Sequence, residues 1–329
     1  MKKIYLMPLF LSVSVYANTN AATEPHYPVS VESCGDVLTF EQAPKRAVFQ
    51  DLNMTEMAFA LGLQPNMVAV NGIAGWYQVS DQFKADLGDI PEISGRYLTL
   101  EPLLEKNPDF LFAGWNYGLK FGSDLTPQNL AHFGVKMLVL SESCAHITKK
   151  KQEASMELLY GDVLKLGKVF DKSDKAQSLV ESWKKDLKDI ESKVAAYPTK
   201  KVFLYDSGID QPFTSGRFAM PHALIKAAGG VNVMGNENFS WGTAPWEKVA
   251  IHNPDMIILV DYGSSDDAAI NSSIKALSDN PLMRQTNAVK NGQFLRLKYS
   301  ELTPGPNNVV AIKKIAAKLH PEAGIVIHE

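Results

Sequence analysis

The chain has 329 residues, 45% of them hydrophobic and 21% charged, an ordinary globular composition whose length suits about two domains. A formal net charge of −3 leaves no basic footprint, so nucleic acid is not an expected partner. The two cysteines show no CxxC spacing and the seven histidines are scattered, so neither a metal site nor a resident cofactor is expected.

The N-terminus has the form of a secretory signal over residues 1–17. Lys2 and Lys3 are its positive end, residues 4–15 its apolar run, and Ala17 its cleavage residue, with Ala22 as second choice. About 12 apolar-rich residues are too few to span a bilayer. No cysteine follows for lipid attachment, and no later stretch is apolar enough to cross a membrane. The mature protein is expected to be soluble and exported, with residues 18–30 as a flexible leader. In an oxidising compartment Cys34 and Cys144 are expected to form one disulfide. Closing so long a loop contributes up to roughly 4–5 kcal/mol in the chain-entropy model.

Residues 29–33 and 37–40 read as a hairpin. Strands follow at 47–50 and 67–70, with a helix at 55–61 between them that Gly62 stops. A glycine-rich loop then holds Trp76 and Tyr77, and Arg96 and Tyr97 come before the next helix. The strand 110–113 runs into a loop with Trp115 and Tyr117. Thr126 and Pro127 open a helix; a strand at 136–140 and a helix at 155–166 complete the first half.

Residues 173–196 form one long amphipathic helix. Ala176, Leu179, Val180, Trp183, Leu187, Ile190 and Val194 recur at steps of three and four between charged residues. Ser173 is the expected N-cap and Pro198 the stop; the helix would reach roughly 35 Å. Beyond it the rhythm repeats, with strands at 201–205, 256–260 and 293–297 and helices at 221–228, 268–277 and 308–319. Alternating strands and helices imply an α/β fold with mostly parallel sheets. The division is an N-terminal lobe, 31–170, a linker helix, 171–197, and a C-terminal lobe, 198–329.

One pattern occurs on each side of the linker. Glu101 leads through a helical turn and a half to Asn107, Pro108 and Asp109 and then to an apolar strand. Glu247 leads identically to Asn253, Pro254 and Asp255. Asn-Pro-Asp is stop-and-turn chemistry, because the residue before proline resists helix and proline cannot extend the helix it follows. Two copies at one spacing indicate two similar lobes.

Of five tryptophans only Trp183 lies on the linker helix. Trp76, Trp115 and Trp241 fall in loops, and Tyr77, Tyr97, Tyr117, Tyr262 and Tyr299 fall in or near loops, several at the carboxyl ends of predicted strands. Ligands of open α/β sheets bind at those ends, and aromatic loops around a cleft suit a bulky ligand. The competing reading is that such rings only anchor their loops. Arg96, Arg217 and Arg296 are the candidate polar contacts, since guanidinium forks suit oxygen anions. No catalytic residue is assigned: there is no GxSxG elbow, the P-loop-like run 161–168 lacks its Ser or Thr, and His146, His222 and His252 are isolated.

Residues 45–48, the two Glu/Asn-Pro-Asp repeats, the linker helix and the Leu302-Thr303-Pro304-Gly305-Pro306 ending resemble the periplasmic substrate-binding proteins of ABC importers for iron–siderophores, haem and cobalamin. The resemblance implies two Rossmann-like lobes joined by one long helix, with the ligand in the cleft between them. It implies that Glu101 and Glu247 dock on a permease dimer, and that the protein is a periplasmic monomer without enzymatic activity. A ferric siderophore is the expected ligand, with cobalamin or haem as alternatives. An exported α/β enzyme is the remote alternative.

Overall fold

The computed structural model describes residue 1 and residues 27–120, 122–149, 151–263 and 267–327; the expected signal segment lies outside them, except for Met1. The first half runs β1 (Val29–Ser33), β2 (Asp36–Phe40), β3 (Ala47–Gln50), α1 (Leu52–Leu61), β4 (Met67–Asn71), α2 (Asp81–Leu87), α3 (Leu100–Glu105), β5 (Phe110–Trp115), β6 (Gly118–Leu119), α4 (Pro127–Ala131), β7 (Lys136–Val139) and α5 (Met156–Val169). The long helix α6 (Ser173–Val194) follows. The second half runs β8 (Lys200–Tyr205), β9 (Phe213–Ser215), α7 (Met220–Ala227), β10 (Gly230–Asn232), β11 (Trp241–Thr243), α8 (Trp246–His252), β12 (Met256–Asp261), α9 (Ala268–Asp279), α10 (Asn287–Lys290), β13 (Phe294–Lys298), α11 (Tyr299–Leu302) and α12 (Asn308–Leu319).

Two parallel sheets result, one in each half, as in a two-lobe α/β protein. Strands β4, β3, β5 and β7 pair in that order. So do β10, β8, β12 and β13. Strands β5 and β12 are buried along their whole length. That is why their sequences are apolar runs rather than alternating patterns.

The repeated motif precedes both of these strands, and the structure shows what it does. Asn107 and Asn253 end their helices with φ of 49° and 47°, a left-handed conformation that asparagine tolerates. Proline then turns the chain, and the aspartate clips the neighbouring strand. Asp109 accepts the amides of Lys45 (2.8 Å) and Arg46 (3.0 Å), just ahead of β3. Asp255 accepts the amide of Lys201 (2.8 Å) in β8.

Helix α6 buries Ala176, Val180, Trp183, Leu187, Ile190 and Val194. It packs on α5 from the first half and on α7 and α12 from the second. Each fully buried large apolar side chain contributes about 1.5–3 kcal/mol. One apolar cluster runs through this seam, from Phe49 under the first sheet to Leu224 and Ile312 under the second. Two smaller clusters cover the outer faces of the sheets.

Some expectations are corrected. Ser173 is the first helical residue rather than the cap; the cap position is Lys172, and no side chain caps the helix. Helix α1 starts at Leu52, directly after its strand. Val29 and Ser30, placed in the leader, belong to β1, and Tyr27 donates its hydroxyl to the Val169 carbonyl (2.8 Å). The short ribbon of β9 and β11 and the helix α2 had no clear sequence signal. Cys34 and Cys144 are disulfide-bonded. No helix among the described residues is long and apolar enough to cross a membrane.

Trp183 stacks on Tyr160 across the α5–α6 seam, with ring centroids 6.3 Å apart. Trp183→Ala is expected to lower stability by about 3–5 kcal/mol, measured by urea unfolding followed by circular dichroism. An unshifted midpoint would show that this face of α6 does not hold the halves together.

Candidate functional site

The site is built from the carboxyl ends of strands in both sheets. On the first side, β3 ends at Asp51, whose carboxylate accepts the Leu52 amide (2.6 Å) and starts α1. The next strand, β4, leads into the loop that carries Trp76 and Tyr77. Here the glycines have a specific use. Gly75 donates its amide to the Gly95 carbonyl (2.8 Å), and a Cβ on Gly75 would lie 2.5 Å from that oxygen. Two loops therefore run in backbone contact, one carrying Trp76 and Tyr77, the other Arg96 and Tyr97. Glu92 fastens the first loop by accepting the amides of Ile73 (2.6 Å) and Ala74 (3.0 Å). Trp76 and Tyr97 meet edge to face at 5.6 Å.

On the second side, β8 ends at Asp206, β12 leads to Tyr262, and β13 leads to Tyr299. The ribbon of β9 and β11 stacks Phe213 against Trp241 at 6.3 Å. The halves then touch. Tyr77 stacks on Tyr299 (4.6 Å) and on Tyr262 (6.0 Å), and the Gln78 amide donates to the Tyr262 carbonyl (3.0 Å). The Tyr299 hydroxyl donates to Asp51 (3.3 Å), and the Asn53 side chain donates to the Pro304 carbonyl (2.8 Å).

These residues enclose a cavity of about 530 Å³ lined by Trp76, Tyr77, Tyr97, Trp241, Tyr262 and Tyr299, the six expected rings it brings together. Asp51, Asn116, Gly118, Leu119, Lys120, Asp206 and Phe213 also line it. Trp76, Tyr97 and Tyr262 remain 36–40% exposed, an unusual state for rings of this size that a seated ligand would relieve.

Five expected contacts lie elsewhere. Trp115 is buried in the outer core of the first sheet. Tyr117 is fully buried one layer behind the cavity. Its hydroxyl bonds the Glu142 carboxyl and accepts the indole N–H of Trp241 (3.3 Å), so it holds a lining ring in place. Arg96 is not in the lining; its guanidinium lies over the Trp76 ring, 4.7 Å from the ring centre, and donates to the Gly75 carbonyl (3.2 Å). Arg217 pairs with Glu153 (3.5 Å), and Arg296 with Asp261 (2.8 Å) and Asp267. Arg217 and Arg296 each had an acidic partner distant in sequence, which no local pattern reveals. Asp51 and Asp206, in contrast, had a readable signal that went unused: each directly follows the corresponding strand of its half.

Burial dominates the electrostatics. It pushes the Asp51 carboxyl up to about 6, partly offset by hydrogen bonds from the Leu52 amide and the Tyr77 and Tyr299 hydroxyls. Burial likewise raises Asp206 and takes Glu56 and Glu142 to about 8. The hydroxyls of Tyr77, Tyr117 and Tyr299 are driven well upward for the same reason.

A carboxyl raised in the folded state keeps its proton where the unfolded chain has lost it. Its contribution to stability is present below the unfolded value and is lost as pH rises through the folded one. The protein without ligand is therefore expected to lose melting temperature between about pH 5 and 8, and Glu142→Gln to flatten the upper part of that fall. Differential scanning fluorimetry across this range checks it; a melting temperature that climbs toward pH 8 would contradict it.

Comparison with known proteins agrees with this architecture. Residues 48–300 match the family described as periplasmic binding protein. An uncharacterized ABC transporter substrate-binding lipoprotein, YvrC of Bacillus subtilis (strain 168), is 21% identical over 90% of this chain and 87% of its own length. The vitamin B12-binding protein of Salmonella typhimurium is 23% identical over 66% of this chain and 72% of its own. The solved structure of an ABC-type Fe3+-hydroxamate transport system from Saccharomonospora viridis is similar with a TM-score of 0.75, at 21% identity, covering 89% of this chain and 99% of that one. With the family matched over most of its length, two parallel-sheet lobes and one long helix between them, the chain belongs to the periplasmic binding protein family, the substrate-binding proteins of ABC importers.

Proposed function

We propose that this protein is exported to the periplasm, captures a ferric siderophore in the aromatic cavity, and delivers it to the permease of an ABC importer. The observation that carries the reading is the set of six rings, contributed by both halves, around a space of about 530 Å³. Rings bury much area at little entropic cost and suit a bulky, oxygen-rich chelate. Net affinity in the micromolar range needs about 8 kcal/mol. Several ring contacts with a few hydrogen bonds can supply it. Binding is reversible, with no covalent step. The similarity to a Fe3+-hydroxamate transport structure and to a vitamin B12-binding protein is consistent with a large metal chelate. The second supports cobalamin as the alternative ligand.

Delivery would use Glu101 and Glu247. Both are exposed in the first turns of α3 and α8, which occupy equivalent places before the central strands β5 and β12. One carboxylate on each lobe suits a permease dimer that presents the same basic surface twice. In their own helices these residues also complement the positive end of the helix dipole, by about 0.3–1 kcal/mol.

Intrinsic tryptophan fluorescence titrated with ferric hydroxamate, ferric catecholate, haem and cobalamin tests the ligand. One of them is expected to quench saturably, and Trp241→Ala to weaken it by about tenfold or more. No saturable response to any of the four would overturn the chelate reading. The double variant Glu101→Arg, Glu247→Arg is expected to keep ligand affinity while abolishing stimulation of the reconstituted importer's ATPase. Unchanged stimulation would remove both residues from the docking surface.

A further inference from the structure

Resting on the reading of the cavity as a chelate site, we propose that Asp51 and Asp206 set the charge of the ligand. The site takes a neutral or positively charged ferric chelate, with a cationic arm against the tyrosine stack, and rejects polyanionic chelates.

Three independent features of the lining support this. First, no arginine is among the described lining residues: Arg96 stacks its guanidinium on Trp76 and donates to the Gly75 carbonyl (3.2 Å), and Arg217 and Arg296 are engaged with carboxylates. An oxygen-rich polyanion would lack the guanidinium forks that suit it.

Second, each half contributes a carboxylate instead. Asp206 receives the Ser207 hydroxyl (2.6 Å) and the Tyr262 hydroxyl (2.6 Å); Asp51 receives the Leu52 amide (2.6 Å), the Tyr299 hydroxyl (3.3 Å) and the Tyr77 hydroxyl. Neither has an ion-pair partner among the described residues. A carboxylate offers about four acceptor sites, so each retains capacity for the N–H donors of an ammonium. The two are anchored to adjacent rings, Tyr262 and Tyr299, whose centroids are 5.5 Å apart.

Third, the ring faces themselves attract cations. The one cationic side chain among the described lining residues is Lys120. Its ammonium already lies over a face, 4.1 Å from the Tyr97 centroid. A protein cation therefore occupies the kind of position that a ligand cation would use. Two carboxylates in one aromatic-lined site act together on a charged guest, attracting one sign and repelling the other.

The test is calorimetric titration of the purified protein with three ferric chelates. One is a linear trihydroxamate with a free terminal amine. The second is the same compound with the amine acetylated, and the third is a tris-catecholate. The amine form is expected to bind tightest, the acetylated form about tenfold more weakly and the catecholate at least about a hundredfold more weakly. Raising the salt concentration should weaken the amine form alone. Asp206→Asn should cost the amine form about tenfold and leave the acetylated form within about twofold. Equal affinity for all three, tightest binding of the catecholate, or equal losses for both hydroxamates in the variant would overturn the charge assignment and leave the chelate site standing. Failure of all three to bind would remove the siderophore reading and the charge assignment with it.

Discussion

The seam along α6 is the constraint on which the rest of the molecule depends. A single helix presents one apolar face, and that face is divided between α5 of the first half and α7 and α12 of the second. Because both halves bury their inner surfaces on the same helix, neither can move far without exposing apolar area. Charged contacts at its edge follow the same division. Lys184 reaches Glu157 (3.3 Å) on one side and Asp186 meets Lys313 (2.7 Å) on the other. Such exposed pairs are worth little individually. The apolar face carries the coupling, and the cleft is the space left opposite it.

Within that frame, strand order positions the chemistry. In each half the strands are parallel, so all their carboxyl ends lie at one edge of the sheet. With both halves packed on α6, Asp51, the Trp76–Tyr77 loop and Asn116 meet Asp206, Tyr262 and Tyr299 around one cavity. The tyrosine stack does more than line a pocket. Tyr77 comes from one half and Tyr262 and Tyr299 from the other, so the same rings that would touch a ligand also close the two lobes on each other. Tyr299 adds a hydrogen bond to Asp51 across the gap. The rings that line the cavity are thus also contacts between the two lobes.

The buried carboxyls give the cleft its electrical character. Asp51, Glu56 and Glu142 are all raised by burial. Glu142 and Tyr117 form a layer behind Trp241 that holds the indole, while Asp51 and Asp206 face the cavity itself. Arginines could have reversed this balance, but Arg217 and Arg296 are paired with carboxylates and Arg96 is absent from the lining.

The amino-acid sequence by itself determined the local structure and the architecture. The three-four spacing on α6, the strand–helix alternation and the twin Asn-Pro-Asp turns are short-range patterns, and short-range physics decides them. Six of the aromatics expected in or near loops come together in one cavity, although Trp241 sits in β11 and Trp115 closes β5. What tertiary structure decided was which side chains converge. Trp115 ends β5 and Asn116 and Tyr117 follow it, yet Trp115 turns into the outer core and Tyr117 goes behind the cavity. Arg217 and Arg296 met Glu153, Asp261 and Asp267 rather than the cleft, and the ribbon that brings Phe213 to Trp241 pairs two segments too short to carry a signal. Burial and ion pairing depend on neighbours far away in the chain. Such choices belong to the folded packing, not to any window of sequence.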